Sequence, residues 1–142
     1  MSLSMTKDER EAFLADLHVA VIGIADDGRG PLTVPVWYSY EPGGALRFIT
    51  GGGSKKAALL RRAGRMSLCV QTETPPYKYL SIEGTISIAK PDLERNSRPM
   101  AHRYLGQQMG DAYLAMNAEE QGESILVTLQ PERWLSVDYT KM

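Results

Sequence analysis

Residues 50–56 read TGGGSKK, with a threonine, three glycines, a serine and two lysines held between the apolar stretches ALRFI and AALLRRAG. Glycine lets backbone N–H groups approach a ligand closely. Successive N–H groups at a helix start, with the positive end of the helix dipole behind them, attract an anion. Thr50 and Ser54 add hydroxyl donors, and Lys55 and Lys56 add formal charge. One phosphate monoester would satisfy the whole set. A solvated glycine-lysine turn accounts for the composition equally well. The spacing is not that of a Walker loop, and a dinucleotide fingerprint would need a parallel βαβ context that this chain lacks.

Other reactive residues are few. Cys69 is the single cysteine, so neither an internal disulfide nor a cysteine-based zinc site is available. Two histidines, His18 and His102, are too few for a histidine-rich metal centre. Cys69 has no histidine near it in sequence and reads as an inert thiol. His18, at a strand start, reads as structural. His102 lies beside Arg98 and Arg103 in RPMAHRYLG, a basic cluster that meets a polyanionic tail or an acidic substrate or, by default, is a solvated helix face. Glu83 reads as an ion-pair partner rather than a base. No Ser-His-Asp set or carboxylate pair is suggested.

The elements that hold these residues follow from periodicity and caps. Thr6 and Glu9 form a capping box ahead of an apolar stripe at Phe13, Leu14 and Leu17, predicting a short N-terminal helix. HVAVIGIA (18–25) and PLTVPVWYSY (31–40) read as strands joined by the turn DDGRG. Pro35 marks the second as an edge or a bulge. Alternation sends Trp37 to one face and Tyr38 and Tyr40 to the other. EPGG leads into ALRFIT (45–50), and two successive hairpins predict an antiparallel meander. Ser54 and Gly64 bracket a short helix. RMSLCVQT (65–72) alternates Met66, Leu68 and Val70 on one face, and YKYLSIEGTISIA (77–89) is a long strand with a bulge expected at Gly84. A helical stretch from Pro91, interrupted at Pro99, precedes a glycine-broken segment (106–122) read as a cover. ESILVTLQ and RWLSVDY close the chain as strands. About seven mostly antiparallel strands with short helices imply a mainly β, barrel-like domain.

At 142 residues the chain is expected to form a single domain over 1–142. A net charge of -1 gives no reason to expect nucleic acid or an anionic membrane as partner. The opening MSLSMTKDERE is polar where a secretion signal needs an apolar core, so a cytoplasmic location is expected.

The order strand, loop, helix, strand in FIT-GGG-SKKAALLRRAGRMSLCV resembles the phosphate-binding segment of the pyridoxamine 5′-phosphate oxidase-like flavin proteins. The likeness takes in VPVWYSYEPGG, the strand ending in IEG, and PERWLSVDY. It implies a split β-barrel of antiparallel strands with short peripheral helices. It also implies a homodimer that binds FMN or the deazaflavin coenzyme F-420 at its interface. Lys55 and Lys56 match the basic pair on the cofactor phosphate, with Thr50 at the strand end near it and Ser54 at the helix start. Thr33, Val34, Pro35, Val36 and Trp37 match the strand beneath the ring, and Tyr79 falls where the oxidases place a polar side chain from the facing strand. Tyr38 stands where the oxidases carry an arginine, and WLSVDYTKM has no match to their C-terminal substrate motif, so pyridoxal phosphate synthesis is not expected. The short chain, the VPVWYSY strand and the missing arginine resemble the deazaflavin-using branch. The implied function is an oxidoreductase delivering hydride or electrons to a small organic substrate. The alternative is a storage or sensing protein that binds the cofactor without turnover.

Overall fold

The computed structural model describes residues 2–142. The chain runs α1 (Lys7–Ala15), β1 (Ala20–Ile24), β2 (Leu32–Val36), β3 (Ser39–Tyr40), β4 (Leu46–Gly51), α2 (Lys55–Ala63), β5 (Arg65–Gln71) and β6 (Lys78–Ala89). A π-helical turn (Leu93–Ser97) then leads into α3 (Arg98–Met116) and α4 (Ala118–Gln121), followed by β7 (Ser124–Leu129) and β8 (Arg133–Asp138). The caps sit where the sequence puts them. Thr6 and Glu9 exchange both capping-box bonds, and Ser54 and Gly64 close the two ends of α2.

The strands make one antiparallel sheet in the order β2-β1-β5-β6-β7-β4-β3, with β8 also paired to β6. Strand β6 is the shared member. Its first half pairs with β8 from Lys78↔Asp138 to Glu83↔Arg133, and its last residues pair with β7 from Ile86↔Leu129 to Ala89↔Leu126. The sheet therefore curls into two halves around β6, a split barrel. Leu46, Phe48, Leu80, Val127 and Leu129 fill the space between the halves with no exposure to solvent. Helix α1 closes one end with the buried pair Phe13 and Leu14. Burying each such side chain is worth about 1.5–3 kcal/mol.

Four expectations are corrected here. The described residues form eight strands rather than about seven, because PLTVPVWYSY is two strands and not one. The chain leaves β2 at Val36, turns through Trp37 and Tyr38, and enters β3 at the opposite edge of the sheet. Tyr38 is wholly buried and donates from its hydroxyl to the Leu14 carbonyl at 2.6 Å, which pins this crossing to α1. The two hairpins do form, but they lie at opposite ends of the sheet rather than in a meander, since β1 pairs with β5 and β4 with β7. Pro99 does not interrupt a helix; it sits in the first turn of α3, where a missing N–H costs nothing. The break falls at Gly106, whose φ of 81° is open to glycine and turns α3 sharply.

Gly84 is the fourth. The β5–β6 ladder runs one to one through Met66↔Gly84, so there is no bulge. The glycine is required by proximity instead. A Cβ there would lie 1.9 Å from the carbonyl oxygen of Gln130, in the segment linking β7 to β8. That segment is stitched to β6 on both sides, Gln130 N–H to the Thr85 carbonyl at 3.0 Å and Glu132 N–H to the Glu83 carbonyl at 2.9 Å. Pro35 fits its expected edge position, since β2 ends the sheet. Replacing Gly84 by alanine should destabilise the fold by about 3 kcal/mol or more, because backbone must move to admit the methyl group. Denaturant unfolding, with Gly30→Ala as a second glycine variant free of such a neighbour and of positive φ, checks this.

Candidate functional site

The TGGGSKK stretch ends β4 and opens α2, and its glycines divide by role. None of Gly51, Gly52 and Gly53 has positive φ, so backbone conformation does not demand them. Gly52 is held against the start of β7: its N–H donates to the Glu123 carbonyl at 2.8 Å, and a Cβ would come within 2.5 Å of that oxygen. A Cβ on Gly51 or Gly53 would meet nothing within 4 Å. Packing therefore explains one glycine and leaves two bare backbone surfaces facing open space.

The hydrogen bonds of the loop are only partly spent. Ser54 N–H closes on the Gly51 carbonyl, and the Ser54 hydroxyl accepts from Ala57 N–H at 3.0 Å while donating to Gly51 at 2.8 Å. The N–H groups of Gly53, Lys55 and Lys56 have no acceptor among the described residues. Ser54 thus serves the loop as a helix cap, and the donors left over are backbone N–H groups at the positive end of α2. Lys55 turns toward Asp26, its ammonium 3.4 Å from the carboxylate. Lys56 is half-buried and forms no ion pair among the described residues, and burial pushes its ammonium below the usual lysine range.

Two adjoining concavities lie beside the loop, of about 470 and 430 Å³, sharing Trp37, Ile49 and Tyr113. The first runs over Thr50–Ser54 to Met100 and Leu114 of α3. The second takes in Pro35, Val36 and Lys56 with Val19. Trp37 divides them. Its indole stacks on Tyr104 at 4.9 Å with 4° between the planes, and Tyr113 leans against it at 5.6 Å. Tyr104 in turn donates to the His18 carbonyl at 2.6 Å and accepts from Tyr38 N–H at 3.0 Å, so the aromatic wall is fastened to the β2–β3 crossing.

Of the residues singled out from sequence, Thr50, Ser54, Trp37, Pro35, Val36 and Lys56 meet along this groove. Lys55 reaches away to Asp26, and Thr33 and Val34 lie farther along β2, outside both concavities. Tyr79 sits between Gln71 and Val137 on the outer face of the sheet, also outside them. Sequence reading did not find Arg61, whose guanidinium donates to the Gly52 carbonyl at 2.8 Å and buttresses the loop from α2. It is seven residues beyond the helix cap, and only the folded loop brings it back. Nor did it find Met100 and Ala101, which face the groove from the first turn of α3. The 106–122 segment does contribute, through Tyr113, Leu114, Asn117, Glu120 and Gln121.

The basic cluster around His102 has a local use. Arg98 and His102 both reach Asp111 Oδ1 at 2.6 Å, tying the two limbs of α3 together across the Gly106 bend. Hydrogen bonds from His102 and then Arg98 hold the Asp111 carboxyl below the usual range. His18 bonds the Phe13 carbonyl at 3.0 Å, and Glu83 pairs with Arg133 at 3.4 Å, as expected of structural groups.

The profile of the pyridoxamine 5′-phosphate oxidase family matches residues 6–138, and the chain belongs to that family. A biliverdin reductase of Mycobacterium tuberculosis, dependent on reduced coenzyme F-420, is 32% identical over 82 residues, covering 57% of this chain and 58% of that protein. The match thus spans little more than half of this curated relative. A conserved hypothetical protein of the same organism has a structure that superposes with a TM-score of 0.80 at 22% identity, covering 98% of this chain and 88% of that one. An FAD- and haem-binding protein of Mycobacterium smegmatis gives a TM-score of 0.70 at 17% identity, over 95% and 71% of the two chains. These structural likenesses carry the fold.

The two kinds of glycine should separate by experiment. Gly52→Ala should cost about 1–3 kcal/mol of stability through its contact with the Glu123 carbonyl, whereas Gly53→Ala should leave the thermal midpoint within a degree or two, since no neighbour opposes the methyl group. Calorimetry of both variants reads the difference.

Proposed function

We propose that this chain is an oxidoreductase that binds a phosphorylated flavin or deazaflavin, with coenzyme F-420 favoured over FMN, in the groove beside residues 50–56. The observation that carries the reading is the pairing of unspent backbone N–H groups at the start of α2 with a half-buried, unpaired Lys56 ammonium. A desolvated cation without a partner is unfavourable, and a phosphate monoester would relieve it while taking up the N–H groups. The named relative dependent on reduced coenzyme F-420 supports the same class. So does the aromatic wall of Trp37 and Tyr113, which is suited to the flank of a planar ring. The groove volume falls in the range of roughly 300–1,000 Å³ usual for small-molecule sites.

When bound, the ring supplies hydride or electron transfer to an organic acceptor. The chain's own part is to hold and shield. Lys56 and the Gly53, Lys55 and Lys56 N–H groups bind the phosphate; Lys55 can join by leaving Asp26. Thr50, buried at the strand end, contributes its hydroxyl at the groove floor. Thr33, Val34, Pro35, Val36 and Trp37 would lie along the ring or its side chain, the last three from the groove itself. Met100 and Leu114 keep water from one side.

The reading includes a second copy of the chain. Pro35, Val21, Cys69, Ser81 and Leu135 stand in register across the outer face of the β2-β1-β5-β6-β8 half. Val21 is 45% exposed and Leu135 62%, an uncovered apolar row continuous with Pro35 at the groove rim. A partner seated on that row would bury it and bring its own Tyr79-bearing face toward the groove. Leu135→Glu should then shift the protein to monomer and lower cofactor affinity together, as read by sedimentation and titration. A variant that stays dimeric, or a wild type that is monomeric with the cofactor bound, would contradict the shared site.

The phosphate assignment has its own test. Titrating FMN and the deazaflavin into the protein, followed by absorbance, should give saturable binding. Lys56→Ala should weaken it by about 1.5–3 kcal/mol, the worth of one charge-assisted bond, with a smaller effect from Lys55→Ala and no loss of fold. Unchanged affinity in the Lys55→Ala/Lys56→Ala double variant would sink it.

A further inference from the structure

A second cleft, of about 460 Å³, lies between the β3–β4 hairpin and the start of α3, and is separated from the groove by Met100, which faces both. Its charged lining is one-sided. Arg47 of β4, Arg95 of the π-helical turn and Arg103 of α3 meet there, opposed only by Glu41. Among the described residues Arg65 pairs with Glu132, Arg98 with Glu94 and Asp111, and Arg133 with Glu83, while Arg10, Arg29, Arg61 and Arg62 form no ion pair. Arg47 and Arg95 form no ion pair among the described residues, even with Glu41 in the same cleft.

Further donors are unspent around them. The Asn96 side-chain oxygen accepts from Asp92 N–H at 2.8 Å, leaving its NH₂ free. Arg103 is fastened by its Nη2 to the Ala15 and Asp16 carbonyls at 3.2 and 3.0 Å, while its Nε is buried without a partner. Like charges gathered without neutralisation cost stability and favour a counter-ion. Guanidinium forks suit oxygens that accept two parallel bonds.

We infer that this cleft is a binding site for a small multivalent oxyanion, a molecule bearing two or more carboxylates or phosphates, held chiefly by Arg47 and Arg95. Arg103 forms the fixed back of the site, and the Asn96 NH₂ supplies a neutral donor that sets orientation. The site stands apart from the 50–56 loop and does not depend on what the groove binds.

Calorimetric titration of the intact protein at low ionic strength tests this with two probes, citrate for planar carboxylates and pyrophosphate for tetrahedral phosphates. At least one should bind saturably, and the better probe tells which chemistry the cleft prefers. Arg47→Met/Arg95→Met should weaken that binding about a hundredfold, about tenfold for each lost fork, while Arg29→Met, an exposed arginine elsewhere, leaves it unchanged. The single variants Arg47→Met and Arg95→Met, both at exposed positions, give milder readings should the double variant fold poorly. In amide spectra the probe should move Ser39 and Asn96. Absence of binding by both probes, an equal loss in Arg29→Met, or shifts confined to residues 50–56 would each overturn the proposal.

Discussion

Two backbones touching at Gly84 decide the architecture. Strand β6 must serve two partners in succession, β8 along its first half and β7 along its end, and the chain linking those partners has to pass directly over it. Only a residue without a side chain leaves room for the Gln130 carbonyl at that crossing. Everything downstream inherits this arrangement. It brings β7 alongside β4 and so lets the Glu123 carbonyl reach Gly52 at the mouth of the loop.

The loop is then a product of three constraints acting on seven residues. Ser54 is consumed as a helix cap, Gly52 by contact with β7, and Lys55 by Asp26. What is left over is directional: bare backbone at Gly51 and Gly53, N–H groups pointing from the α2 terminus, and one half-buried ammonium. A surface turn would have hydrated its lysines alike. Here one is neutralised and the other is desolvated, an asymmetry that composition does not reveal.

Much of the secondary structure was legible because it rests on local chemistry. The Thr6–Glu9 box, the Ser54 and Gly64 caps and the alternation of Met66, Leu68 and Val70 need no tertiary information. Pro35 on an edge strand is equally local. What failed depended on distant partners. PLTVPVWYSY keeps an unbroken β-like pattern although it crosses from one sheet edge to the other, because Tyr38 is buried whether it lies in a strand or in the bend between two. Gly84 looked like a bulge because sequence carries no record of which backbone lies overhead. Within the site, the glycine loop announced itself by type and spacing, while Arg61 and the Met100 wall entered through folding alone.

Residues 90–123 form an excursion between β6 and β7, and both limbs of α3, joined at Gly106 and clasped by Asp111, belong to it. The ladders of the barrel make no use of this excursion, yet it furnishes one whole flank of the groove. A lineage could therefore exchange that flank for another while the strands beneath and the 50–56 loop stay as they were. The barrel is the fixed frame in such a scheme, and the excursion is its replaceable jaw.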